Sequence, residues 1–177
     1  MKKIFRVKRN LIFLPLPDIN QVNYSMRFLI VIIAICFSCS PVFTDERKLI
    51  VVNEVEQMLD NYYADIEKEG LIGEFKYLDN SQEFFWAPPG YQNSISYDSV
   101  VSILTKNAPS LKSIHNSWDT LRIIPLGNEF ASYTGRLRSL TTDLTGKTEE
   151  HVLVETGLLI KRSSGWKLLS GQTSIIK

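Results

Sequence analysis

The feature that most constrains this chain lies between Ile114 and Ile176, where apolar and polar residues alternate through four long runs: Ile114 to Pro125, Glu129 to Leu140, Glu150 to Arg162 and Trp166 to Ile176. A period of two, rich in β-branched and aromatic residues, predicts strands. The separators Leu126-Gly127-Asn128, Asp143 to Gly146 and Ser163 to Gly165 have hairpin chemistry, so the four runs predict an antiparallel meander. Strands of this length require a curved sheet, and a single sheet needs a cover over its apolar face.

The segment upstream supplies that cover. Leu49, Val52, Val55, Leu59, Tyr62 and Ile66 recur at spacings of three and four across Asp45 to Glu69, which predicts an amphipathic helix with Thr44 or Asp45 as cap and Gly70 as stop. A weaker helical turn, Leu71 to Leu78, leads to a short strand at Phe84 to Trp86 that Pro88-Pro89-Gly90 ends. Ser96 caps a third helix, Tyr97 to Asn107, and Pro109 stops it. The expected class is α+β: a curved antiparallel sheet with about three N-terminal helices packed on its concave face.

The beginning of the chain reads as an address. Ten apolar residues, Phe28 to Phe37, follow Arg27 and precede Ser38-Cys39-Ser40. Ten residues rise about 15 Å as a helix, roughly half the hydrocarbon thickness, which suits a signal-peptide core better than a membrane span. A cysteine after a small residue at the end of such a segment resembles a bacterial lipoprotein signal, although Cys36 and Phe37 depart from the residues usual before its cleavage site. The resemblance implies a lipidated Cys39, with Ser40 directing the chain to the outer membrane, facing the periplasm or the exterior. An uncleaved anchor and a buried cysteine pair are the alternatives. Residues 1–25 precede a second Met and are expected to be an over-extended N-terminus, 26–38 the signal, 39–45 the lipidated cysteine and tether, and 46–177 the folded domain. With the first 38 residues removed, fourteen basic and eighteen acidic side chains remain, a net of −4. A mildly acidic body argues against nucleic acid as a partner.

The order helix, helix, short strand, helix and four long strands resembles the NTF2-like cone, particularly its SnoaL-like and DUF4440-like branches. Three stretches carry the likeness: FKYLDNSQEFFWAPPG from Phe75 to Gly90, ASYTGR from Ala131 to Arg136, and TGLLIKRSSGWK from Thr156 to Lys167. The resemblance implies a cavity at one end of the sheet and dimers formed through the outer sheet face. It also places Gln172 where the family commonly carries His, which replaces an acid or base with an amide.

For the cavity the sequence offers Tyr62 (or Tyr63), Trp86, Tyr97, Trp118, Tyr133, Thr156 and Gln172, an aromatic and hydroxyl-bearing set suited to a small organic ligand. On the last strand, Ser170, Gln172 and Ser174 are expected to continue the face of Trp166 and Leu168 and border the cavity, unless they sit on a solvated edge. On the fourth run, Val152, Val154, Thr156, Leu158 and Ile160 are expected to face inward. Glu155 then becomes a surface or interface carboxylate. His115 and Asp119 are too far apart along one strand to act as a dyad, and His151 reads as solvated. No metal-ligand spacing, nucleophile elbow or phosphate loop occurs, and no catalytic residue, metal or cofactor is assigned. The reading is a lipid-anchored, non-catalytic protein that binds a small ligand or a partner protein of the envelope in the cone pocket; the alternative is an isomerase, dehydratase or cyclase using Tyr62, Tyr133 or Asp119 as general acid or base.

Overall fold

The computed structural model describes residues 43–176. The expected over-extended N-terminus, the signal segment and Cys39 lie outside them. Helix α1 spans Asp45–Glu69, with the Thr44 hydroxyl accepting from the Arg47 amide at 3.3 Å as its cap. A 3-10 segment follows at Leu71–Tyr77, then strand β1 at Phe85–Ala87 and helix α2 at Tyr97–Asn107, capped by Ser96. Four long strands complete the domain: β2 (Leu111–Pro125), β3 (Phe130–Asp143), β4 (Thr148–Arg162) and β5 (Gly165–Ile176).

The sheet order is β1-β5-β4-β3-β2. The meander β2 to β5 is antiparallel throughout, as expected from the hairpin separators. The short strand β1 lies parallel to β5, pairing Trp86 with Gly171, so the sheet is mixed rather than purely antiparallel. Its curved inner face is covered by the helical segments, and the sheet does not close on itself. The core joins Val51, Val55, Leu59 and Ile66 of α1 to Ala131, Tyr133, Leu137, Leu159 and Leu168 of the sheet.

The stripe on α1 differs from the expected one at its edges. Val51, Met58 and Tyr63 are buried, whereas Leu49 is 62% exposed. Val51, Val55, Leu59 and Ile66 still keep helical spacing, rotated slightly about the axis.

Two strand faces require correction. On β4, Glu155, Gly157 and Leu159 face inward, and Val154 and Thr156 lie on the outer face. Both alternating sets of this strand are apolar enough to pack, so hydropathy could not choose between them. On β5 the pairing jumps from Leu159↔Leu168 to Leu158↔Ser170, leaving Leu169 as a bulge. The extra residue flips the alternation beyond it, so Thr173 points in while Gln172 and Ser174 are exposed.

Candidate functional site

Glycines set the approach of the site's elements. The chain leaves α1 through Gly70 at φ +74°, and Gly73 then lies against α1 so closely that an added Cβ would stand 2.6 Å from the Asp65 carbonyl oxygen. That contact brings Glu74 back beside α1. The Tyr62 hydroxyl donates to Glu74 Oε2 at 2.9 Å.

Across from this pair, Glu155 rises from β4 and is only 6% exposed. Its Oε1 accepts from the hydroxyls of Tyr133 at 2.6 Å and Tyr63 at 3.2 Å, and its Oε2 accepts from the Thr173 hydroxyl at 3.2 Å. A buried carboxylate is costly unless hydrogen-bonded, and here three hydroxyls converge on it, with no cation paired to it among the described residues. The rings of Tyr62 and Tyr63 are 4.9 Å apart, which ties the two carboxyl sites into one aromatic cluster.

Both carboxyls line a cavity of about 240 Å³. Its walls are otherwise mainly apolar, drawn from α1 (Ile66), the loop and strand around Phe84 and Trp86, α2 (Ile103, Leu104) and the sheet (Ile114, Leu137, Leu168). The Oδ1 of Asn116, shut off from solvent, makes no hydrogen bond. Burial pushes the Glu74 carboxyl up to about 7; the Tyr62 hydrogen bond opposes the shift and the nearby Glu155 adds to it. Burial also raises Glu155, against the hydrogen bonds from Tyr133, Tyr63 and Thr173. The phenols of Tyr62, Tyr63 and Tyr133 are held well above their usual range, first by burial and then by the carboxylates.

Of the seven residues proposed from sequence, Tyr62 and Trp86 line the cavity. Tyr133 is buried and reaches it through Glu155. Trp118 packs edge-on against Tyr63 and Tyr133, and Tyr97 packs edge-on against Phe84, so these two support the walls. Thr156 and Gln172 are not brought to the cavity. The Thr156 hydroxyl meets Thr134 at 2.8 Å on the outer sheet face, and Gln172 lines a separate depression beside Pro88 and Tyr91. Asp119 sits in the β2 bulge and pairs with Arg136 and Arg138, away from the cavity. His115 pairs with Glu67 at 3.1 Å.

Sequence reasoning missed Glu74 and Thr173 and turned Glu155 to the outer face, while Tyr63, offered there as the alternative to Tyr62, does line the cavity. A signal for Glu155 was present two residues downstream. A glycine inside a strand marks a place where another group approaches closely; Gly157 is such a place, and Glu155 shares its face.

The architecture is that of the NTF2-like α+β cone. A candidate scytalone dehydratase from Novosphingobium aromaticivorans superposes with a TM-score of 0.65 at 9% identity, covering 76% of this chain and 89% of that one. A hexachlorocyclohexane dehydrochlorinase, LinA-type3, from Novosphingobium barchaimii gives 0.61 at 10% identity, covering 76% and 92%. A nuclear transport factor 2 (NTF2-like) superfamily protein from Salmonella enterica serovar Typhimurium gives 0.60 at 14%, covering 71% and 90%. No protein-family model matches the sequence, and no curated protein matches it. At such identities the likeness is one of fold, and function has to be argued from the cavity itself.

Proposed function

We propose that this chain is an NTF2-like ligand-binding protein that holds a small, largely apolar molecule in its cavity and is anchored to the bacterial cell envelope through a lipid on Cys39. The observation that carries the binding reading is the cavity of about 240 Å³, with apolar walls and polar groups confined to a few convergent side chains. The lipid reading rests on the run Phe28 to Phe37 followed by Ser38-Cys39. Binding is tested by thermal-shift titration with small alcohols and amines, comparing the natural domain with Ile103→Trp, which fills the cavity from α2. Saturable stabilisation lost in the variant supports the reading; equal responses from both proteins contradict it. Intact mass of the chain and of Cys39→Ala tests the anchor, with a lipid-sized increase lost in the variant as the expected result. A second copy is proposed to pair through the outer sheet face around Thr134, Val154 and Thr156, where Val154 is 39% exposed.

One observation favours a second reading, proton-transfer chemistry of the isomerase or dehydratase kind. Glu74, raised to about 7 beside Tyr62, is poised to take or give a proton at neutral pH. Two of the fold neighbours are described as a dehydrochlorinase and a candidate dehydratase. In this reading Glu74 replaces the Tyr133 and Asp119 suggested by sequence. Deuterium exchange at the α-carbon of cyclohexanone, followed by NMR, tests it: acceleration by the natural domain and none by Glu74→Gln is the supporting result.

A further inference from the structure

The balance of charge and hydrogen-bonding capacity in the cavity limits what it can hold. Glu74 and Glu155 are its ionisable carboxyls, and no Lys, Arg or His is among its lining residues. The hydroxyls nearest them are already committed: Tyr62 donates to Glu74, while Tyr63, Tyr133 and Thr173 donate to Glu155. What remains unspent beside the carboxyls is mainly acceptor capacity, although Trp118 Nε1 behind the wall is a buried donor without a partner. Glu74 Oε1 takes no hydrogen bond, and Asn116 Oδ1 is buried without a partner. An anionic ligand would meet two carboxyls, with only the neutral Ser139 hydroxyl and Asn116 amide N–H groups to receive it and no cation among the lining residues. A hydrogen-bond donor bearing positive charge would answer both deficits, and the rings of Phe84, Trp86 and Tyr62 along the wall would accept the apolar body and part of the charge.

We propose that the ligand of this cavity is a small organic ammonium ion, a primary or secondary amine on an apolar body, held between Glu74 and Glu155 with its N–H groups directed to their free lone pairs. The inference rests on the small-molecule reading of the cavity and adds the ligand's charge. A cation entering an apolar cavity loses hydration, and paired carboxylates offset that loss where a neutral wall would not. The raised Glu74 carboxyl agrees with this arrangement, since a carboxyl lacking a counter-charge is the group that takes up a proton when the cavity is empty.

Calorimetric titration of the full domain with two matched series tests the proposal: benzylamine, benzyl alcohol and benzoate, and hexylamine, hexanol and hexanoate. The amine should bind at least about tenfold more tightly than its alcohol, the factor that a charge-assisted hydrogen bond contributes over a neutral one, and the carboxylate should not bind. Glu74→Gln should weaken the amine by a similar factor and leave the alcohol within about twofold. Glu155→Gln should act in the same direction, and where that variant fails to fold, Glu74→Gln and the series on the natural domain still decide. Alcohols binding as tightly as amines, or carboxylates binding at all, would overturn the ammonium proposal while leaving the cavity reading intact. Absence of binding by every member of both series would overturn both.

Discussion

Tyr133 and Gly157 stand directly opposite each other on β3 and β4, and the tyrosine ring occupies the space that a side chain at position 157 would need. A Cβ there would lie 2.5 Å from Tyr133 Cε1. The missing side chain lets the ring lie across the sheet and set its hydroxyl 2.6 Å from Glu155. The same device recurs where Trp118 covers Gly135 and Trp86 covers Gly171. Glycines in neighbouring strands thus seat the aromatic groups that build and support the cavity.

Gly157→Ala is therefore expected to cost about 1–3 kcal/mol through overpacking. Gly127→Ala, where nothing lies within 4 Å, should stay within about 0.5 kcal/mol. Urea unfolding of the two variants side by side measures the contrast, and equal costs would mean that the ring does not depend on the glycine.

Tyr133→Phe removes the shorter of the two hydrogen bonds to Glu155 Oε1 and leaves Tyr63 and Thr173 to hold the carboxylate. The expected loss is about 1–3 kcal/mol, the cost of stripping a partner from a buried charged group. Tyr63→Phe removes a bond of 3.2 Å and should cost less.

Asp79 is 4% exposed and accepts from Arg162 Nε at 2.9 Å and Nη2 at 2.8 Å, fixing the loop before β1 to the end of β4. Arg162→Ala leaves that carboxylate buried without its counter-charge and should destabilise the domain, by less than the loss of a fully buried pair because the Arg162 side chain is 39% exposed and Ser81 still donates to Asp79. Arg162→Ala with Asp79→Asn should recover part of the loss, which a double-mutant cycle reads directly.

Stability should also depend on pH in a definite direction. Glu74 has a folded value near 7 against an ordinary 4.5, so between these values the native state binds more protons than the unfolded chain. Its contribution is full below the ordinary value and is lost as pH rises through the folded one, by at most about 3 kcal/mol and less to the extent that Glu74 remains partly accessible. Asp79, lowered first by its Arg162 hydrogen bonds, acts oppositely: its contribution is present above the unfolded value and lost as pH falls. The domain without ligand should accordingly be most stable in weakly acidic solution. In Glu74→Gln the decline toward neutral pH should flatten; an unchanged slope would show that Glu74 is not the titrating group.

The helices, the strand order within the meander and its turns were legible because periodicity and turn chemistry act locally. Tyr97–Asn107 was placed from Ser96 and Pro109 alone. The site was less legible because it depends on facing, and facing was decided by features that hydropathy does not encode. The Leu169 bulge turned Gln172 outward, and β4 had two apolar faces, of which the one carrying Glu155 was chosen by Gly157 and by hydroxyls distant in sequence. Glu74 arrived through a 3-10 segment seated on α1 by Gly73, a contact with no periodic signature.

If the cavity itself receives the ligand, the methyl groups on its wall must respond to it. Methyl NMR during titration with benzylamine tests this most directly. Saturable shifts are expected at Ile66, Ile103, Leu104, Ile114 and Leu137, which line the cavity, with Ile124 and Ile176 at exposed positions unmoved. Shifts confined to the exposed methyls, or none at saturating amine, would contradict it.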